Sequence, residues 1–172
     1  MSKPQSRINE FREAVVRTIH KALPELRECV SQFGRFNLDE LETTSVRAPA
    51  VRVGILQVKL KPVASGQSEG TLSAAAFVVT DGKERDAEAW TIAEAVAVSL
   101  HTSQMFNLVK LGAPSTVSIQ PVISAAIKSK GVSIIAVEWT QELRQLGQNI
   151  FDANGVAISE LYINDEKSEA QP

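Results

Sequence analysis

Apolar side chains near the start of the chain recur every three to four residues, the spacing of one helix face. The stripe begins at Phe11 and reaches Phe33, and Ser6 or Asn9 can cap its first turn. Pro24 interrupts it, because proline has no N–H to donate to the carbonyl four residues earlier. The pattern therefore predicts a long amphipathic helix that kinks or restarts near Pro24, preceded by a flexible N-terminus over residues 1–8.

A short second helix is predicted just after Gly34, which ends the first one. Asn37 and Glu40 have the spacing of a capping box and would open a single turn over residues 38–42. From residue 50 onward the helical spacing is lost, and the chain changes to the alternation that is typical of strands.

The first predicted strand changes its parity part of the way along. Val51 and Val53 alternate with polar positions up to Gly54, and three apolar residues then follow in the opposite parity: Leu56, Val58 and Leu60. A one-residue shift exchanges the two faces of a strand, so a bulge near Gly54 explains the change.

A hairpin is predicted from this strand, the small-residue loop 63–70 and a second strand over 71–80. Its arms approach ten residues, or about 33 Å at about 3.3 Å per residue. The parity change would leave apolar side chains on both faces of the ribbon. We therefore predict that one face is covered by a partner and that Leu56, Val58 and Leu60 lie in an oligomer interface. The alternative is that the helices and loops of a single chain cover both faces.

A strongly apolar helix is predicted after the turn at Asp81 and Gly82. Ten of the fourteen residues from 87 to 100 are apolar, which indicates a buried central helix with Trp90 in the core. Glu94 is the exception, since no Lys or Arg occurs from Asp86 to Val109. It either faces solvent or meets a partner from elsewhere in the fold or from another chain, and it is the fourth interface candidate.

The rest of the chain completes one α+β domain over residues 1–163. Strands are predicted at 116–120, at 132–140 and, as an edge, within 156–163, followed by a disordered polar tail over 164–172. The expected fold is an antiparallel or mixed sheet of four to five strands with two main helices packed on one face. The contacts expected between them involve Phe11, Ile19, Leu26, Trp90 and Ala97.

Composition excludes several classes of protein. With 44% apolar residues and a net charge of −2, the chain resembles a folded domain rather than a disordered one. The 18 basic and 20 acidic residues form no basic patch, so no specific nucleic-acid binding is predicted. The apolar stretch at 87–100 is too short and too polar for a membrane span, and no signal peptide is recognised at the start.

Candidate chemistry is sparse. A buried Cys29 and surface or capping roles for His20 and His101 are the simpler interpretations of these three residues. The acidic run that starts at Asp81 and includes Glu84, Asp86 and Glu88 is explained by the start of a helix better than by a metal. No nucleotide-binding, nucleophile or zinc motif is found. The protein is predicted to be no enzyme, with no catalytic, cofactor-binding or metal residues and no cofactor.

Three segments carry a resemblance to a known family. They are Arg47-Ala48-Pro49-Ala50-Val51-Arg52-Val53, the strand-turn-helix 77–100 around Arg85-Asp86-Ala87-Glu88-Ala89-Trp90, and the closing strand from Gly131-Val132 to Ala136-Val137-Glu138-Trp139-Thr140-Gln141. In this order, over roughly residues 9–147, the chain resembles the Mu-type phage tail terminator proteins, also called tail completion proteins.

The resemblance implies a small α+β subunit of a hexameric ring. Such a ring sits on the last layer of the tail tube, stops its polymerisation and joins the tail to the head. The implied partners are further copies of this chain, the tail tube protein and the head-tail connector, and the implied location is the virion tail, after assembly in the host cytoplasm. Two other classes remain open: a different head-tail connector or neck protein, and a small-molecule-binding α+β domain.

Overall fold

The computed structural model describes residues 6–36, 46–63, 68–102, 106–122, 125–147, 161–163 and 166–168. In chain order they form helix α1 (Arg7–Ala22), strands β1 (Glu28–Gln32), β2 (Ala50–Pro62) and β3 (Ser68–Asp81), helix α2 (Arg85–Thr102), strand β4 (Ser115–Pro121), the short helix α3 (Ala125–Ser129), strand β5 (Val132–Leu146) and the short strands β6 (Leu161–Ile163) and β7 (Glu166–Ser168).

One five-stranded sheet, in the order β1-β2-β3-β5-β4, organises the fold. β1 is parallel to β2, whereas the other neighbouring strands are antiparallel, so the sheet is mixed. Helix α1 contacts β1, β2 and β5, and α2 contacts β3, β4 and β5. Both helices contribute to a single hydrophobic core with one face of the sheet. The predicted α+β fold, with two main helices on one face, is confirmed.

The first helix is shorter than predicted, because residues 28–32 form a strand. Helix α1 ends at Ala22, two residues before Pro24, and β1 then pairs in parallel with residues 50–54 of β2. Leu26 is buried in the same core as Phe11 and Ile19, as predicted. The apolar spacing continues past Pro24, but pairing with a distant strand determines the structure there.

The beginning of α1 also differs from the prediction. Ser6 is the N-cap, and its Oγ accepts a hydrogen bond from the amide of Asn9 at 3.1 Å. Residues 7 and 8, predicted to be flexible, lie in the first turn. Arg7 is buried and donates to the carbonyl of Val109 at 2.6 Å, which ties this turn to the loop before β4. Residues 1–5 and the predicted short helix at 38–42 lie outside the described residues.

The predicted β2–β3 hairpin is present, with arms of 13 and 14 residues. The register shifts between Ile55 and Gln57, so the bulge lies two residues after Gly54. It restores the original face, because Val58 packs on the helix-covered core together with Val51. The prediction that Val58 and Leu60 change faces with Leu56 is therefore wrong. Leu56 packs on the opposite face with Phe77 and Ala136.

Strand β5 is six residues longer than the predicted 132–140. Trp139, Gln141 and Leu143 are buried, and the indole Nε1–H of Trp139 donates to the Gln141 side chain at 3.2 Å. The Gln141 amide donates in turn to the carbonyl of Gly112 at 2.7 Å, so this buried polar group is satisfied. Strand β3 pairs with β5 from Ser68 to Asp81 and with β2 from Ser68 to Val79.

The C-terminal segment also differs from the prediction. Strand β6 pairs with β7 in a separate two-stranded sheet instead of extending the edge of the main one. β7 covers residues 166–168, within the tail predicted to be disordered. Residues 156–160, 164–165 and 169–172 are outside the described part of the chain.

Helix α2 buries a stripe of alanine and aliphatic side chains and leaves its largest side chain, that of Trp90, partly exposed. Ala89, Ala93, Val96 and Leu100 are fully buried, and Ala97 packs partly against the same core. Trp90 is 48% exposed, so its predicted burial is wrong. The small side chains of Ala89 and Ala93 allow the helix to lie close to the sheet. Trp90, next to Ala89 in the sequence, lies outside the buried stripe of the helix.

Stability measurements distinguish the buried Phe11 from the half-exposed Trp90. Phe11 is fully buried and meets Phe106 edge to face at 5.8 Å between centroids. We expect Phe11→Ala to lower the free energy of unfolding by about 3–5 kcal/mol. Trp90→Ala should cost about 1 kcal/mol or less, because much of this side chain remains in water. Chemical denaturation of both variants beside the wild type measures the difference, and equal losses would contradict the assigned packing of α2.

Candidate functional site

Exposed apolar side chains lie near two opposite edges of the sheet. On the β1 and β2 side, Phe33 is 94% exposed and Leu60 is 69% exposed. On the β4 and β5 side, Trp90 of α2 is half exposed beside a cavity. We call the first group the β1–β2 edge and the second the β4–β5 edge. Single exposed apolar residues are ordinary, but side chains of this size on two opposite edges indicate contact surfaces.

The bend that carries Phe33 is fixed at several points. Gly34 has φ +70°, and its carbonyl lies where a Cβ of residue 54 would be, so Gly54 permits the backbones to touch. The Gln32 side-chain amide donates to the same Gly34 carbonyl at 3.4 Å. Phe36 packs against Phe77 of β3 with centroids 5.9 Å apart. The aromatic ring of Phe33 is thus presented from an anchored segment.

Charged contacts hold the same region to the sheet. Glu28 of β1 forms an ion pair with Arg52 of β2 at 2.8 Å, and both side chains are nearly buried. Arg35, two residues after Phe33, donates to Glu138 of β5 at 2.9 Å. These contacts connect the first strand and the bend to the centre of the sheet.

The half of β2 that follows Gly54 has one apolar face and one polar face. Val58 is half-buried, and together with Leu146 it closes over Gly70, where a Cβ would meet both side chains. Leu60, two residues further along, continues this apolar face into solvent. Within the described residues, β1 pairs only with residues 50–54, so the outer edge of β2 beyond Gly54 has no neighbouring strand.

The other face of the same segment is polar. Lys61 forms an ion pair with Glu142 of β5, and Arg144 lies 3.5 Å from Glu69 of β3. The hydrogen bond from Lys61, with the charge of that ammonium, lowers the pKa of the Glu142 carboxyl below its ordinary value. This face is suited to solvent, and among the described residues the apolar face is the one that lacks cover.

The four residues predicted for an interface are not brought together. Leu60 is well exposed, Val58 supports it from the edge of the core, and Leu56 is half-buried on the opposite face. Glu94 is exposed on α2, one helical turn after Trp90. The sequence prediction missed Phe33, which was assigned to a helical stripe. The available signal in the sequence was the adjacent Gly34, because glycine is the residue that most readily adopts the positive φ of a bend.

A cavity of about 420 Å³ lies where β4 ends and β5 begins. Its apolar lining includes Trp90, Val122, Ile127 and Val132. Charged groups lie in the same lining, contributed by Arg85, Asp86 and Lys128. The Ser133 hydroxyl donates to the Asp86 carboxylate, which joins the first turn of α2 to β5. The cavity thus combines an aromatic wall with two cationic side chains and one carboxylate.

Candidate chemical groups lie apart from these surfaces. Cys29 is half-buried against the core, with its Sγ 3.6 Å from the carbonyl of Val16, and burial raises the pKa of the thiol to about 11. His20 and His101 are exposed at the ends of α1 and α2. Among the described residues, no three His, Cys, Asp or Glu side chains are grouped closely enough to hold a metal ion.

Comparison with known proteins does not assign this chain to a family. No protein-family model matches the chain, and no curated protein matches it significantly. In the part of the chain that the structure describes, no helix has the length and apolar character needed to cross a membrane.

The environment of Cys29 predicts its reactivity. A thiol with a pKa of about 11 carries little thiolate at pH 8, so we expect its reaction with a disulfide reagent to be roughly 100-fold slower in the native protein than in the unfolded chain. The unfolded thiol ionises first as the pH rises. The free energy of unfolding should therefore decrease as the pH approaches about 11, and less steeply in Cys29→Ala. Equal native and unfolded reaction rates would contradict this burial.

Proposed function

We propose that this protein is a phage tail terminator, a structural subunit that forms a hexameric ring, caps the tail tube, stops its polymerisation and joins the tail to the head. The segment resemblance between residues 9 and 147 and the α+β fold support this proposal. It implies self-association, contact with the tail tube protein and the head-tail connector, and no catalytic reaction.

The observation that carries the proposal is the placement of apolar side chains on both edges of one sheet. Leu60 and Phe33 belong to the β1–β2 edge, whereas Trp90 belongs to the β4–β5 edge. A two-fold dimer would use one patch on both subunits. Two different patches on opposite sides favour a head-to-tail interface, which generates a ring when the rotation between subunits closes.

The far half of β2 contributes the first of these patches. Leu60 extends an apolar face beyond Leu72, the buried apolar side chain of β3 nearest the hairpin tip, and the opposite face of the strands is charged. A neighbouring subunit that covers this face would bury Leu60 without desolvating the ion pairs behind it. Glu94, exposed on α2, is retained as a second proposed contact.

A second candidate function is favoured by the cavity at Trp90. Its volume of about 420 Å³ is within the roughly 300–1,000 Å³ of small-molecule sites, and its lining includes Arg85 and Lys128. A small-molecule-binding domain would have no need for six-fold assembly. A different head-tail connector or neck protein would assemble, but it would not cap a tail tube.

Particle mass and tube length test the proposed function. Six chains of 18.6 kDa should give a species of about 112 kDa, and negative-stain microscopy should show six-fold rings. Added to a polymerising tail tube protein, the rings should bind tube ends and shorten the tubes. Rings of six that ignore tubes would favour another connector, and a monomer that binds a small anion would favour the pocket alternative.

A charge at residue 60 tests the exposed β2 face. We expect Leu60→Glu to fold with an unfolding temperature within a few degrees of the wild type, because the side chain is 69% exposed, and to lose assembly. Gln57→Glu is the matched control, with the same added charge on an exposed position of the same strand. Val58 is less suitable, because a charge there would enter the core. Light scattering gives the mass, and unchanged assembly of Leu60→Glu would contradict the role of this face.

A further inference from the structure

The exposed charges on and around helix α2 are mainly negative. Residues 81–94 hold five carboxylates and two cations, and after Arg85 no Lys or Arg follows until Lys110. The carboxylates of Glu84, Glu88 and Glu94 are exposed and take part in no ion pair among the described residues. We call these three residues the acidic surface. Because its like charges repel one another, a cationic surface placed against it would stabilise it.

The end of helix α1 and the residues after it have the opposite charge. Residues 17–27 hold the cations of Arg17, Lys21 and Arg27, with the single carboxylate of Glu25. These three cations are exposed, and none forms an ion pair among the described residues, whereas the cations in the first half of α1 are paired with glutamates of the same helix. Arg17 and Lys21 lie one helical turn apart and share a face. We call the three cationic residues the basic surface.

Both surfaces lie toward the same end of the sheet, over different strands. The amide of Arg27 donates to the carbonyl of Pro49 at 3.0 Å, immediately before β2 begins, and α2 follows Asp81 at the end of β3. Ala50 lies beside Val79 in the antiparallel pair, so both features are far from the hairpin tip. Helix α1 contacts β1 and β2, whereas α2 contacts β4 at the other edge. Copies placed side by side in one orientation can therefore bring the basic surface of one against the acidic surface of the next.

Apolar side chains accompany the carboxylates on α2. Glu94 lies one helical turn from Trp90 and one turn from Val98, which are 48% and 56% exposed. A small cation would leave these side chains in water, so the composition of the surface favours a protein as its occupant. The basic surface of a second copy supplies the complementary charge, in equal number with the acidic surface. Charge complementarity of this kind determines which partner binds and in which register.

We propose that the basic surface of one copy contacts the acidic surface of the next copy around the ring. This inference rests on the proposed function and names a contact that would join its subunits. Each subunit uses its basic surface on one neighbour and its acidic surface on the other, so the interface is heterologous. Glu94 is then paired with a cation of another chain.

Reversing the charge of each surface in a separate variant tests this contact. Glu88→Lys with Glu94→Lys makes both surfaces of a subunit basic, and Arg17→Glu with Lys21→Glu makes both acidic. All four positions are exposed, so both double variants should fold, which circular dichroism checks. Each double variant alone should raise the protein concentration at the midpoint of assembly by at least about 30-fold, because like charges then face each other at every contact.

Mixing the two double variants separates a direct contact from a general effect of charge. In an equimolar mixture each basic subunit can contact an acidic one on both sides. An alternating ring of about 112 kDa should therefore form near the wild-type concentration. Glu25→Lys is the matched control: it makes the same change of charge as Glu94→Lys, but within the basic surface, and it should not weaken assembly. Raising the salt concentration from about 0.05 M to about 0.5 M should weaken wild-type assembly, because salt screens exposed charges.

Several results would overturn the contact. Rings formed normally by either double variant would refute it and leave the tail terminator proposal intact. A mixture that assembles no better than its components would refute it as well. A mixture that stops at a 1:1 dimer of about 37 kDa would support the pairing of the two surfaces and contradict the hexamer. A wild type and a mixture that both stay monomeric at low salt would refute the contact and the proposed ring together.

Discussion

The two-sided pairing of β3 is the constraint on which the rest of the structure depends. Residues 68–79 of this strand lie between β2 and β5, and β5 alone continues beside Thr80 and Asp81. Fourteen residues span about 46 Å, whereas helices of 16 and 18 residues span about 24 and 27 Å. Neither helix can cover the sheet from end to end. An apolar strand face therefore continues past the core, and Leu60 is its visible result.

Local patterns predict the elements whose boundaries are set locally. The hairpin, the helix after Gly82 and the start of β5 follow from alternation, helical composition and glycine turns. β1 could not be found in this way, because its identity depends on pairing with residues 50–54, more than twenty positions later. The exposure of Trp90 is similar: apolar residues surround α2, and only the close approach of Ala89 and Ala93 to the sheet selects which side is buried.

Gly54 shows why the candidate site was only partly predictable. The change of parity after this residue correctly indicates a bulge in β2, but the extra residue is Leu56. Gly54 itself provides space for the carbonyl of Gly34, and that contact holds the bend bearing Phe33. Backbone contact between two glycines leaves no trace in hydrophobic periodicity, so Phe33 was assigned to a helix stripe. The alternation along β2 singled out Leu60 but assigned it to the wrong face, because alternation alone does not show that the extra residue is Leu56.

The outer edge of β2 also restricts the kind of contact it can make. Lys59 and Pro62 flank Leu60, and charged residues and proline on an edge strand oppose the addition of another strand. Pro62 has no N–H to offer a partner backbone, and Lys59 would have to lose water. Contact through side chains on the apolar face is free of both penalties. Contact through side chains such as Leu60 and Phe33 is therefore favoured at this edge over the addition of another strand, and the same charged residues and proline oppose edge-to-edge aggregation.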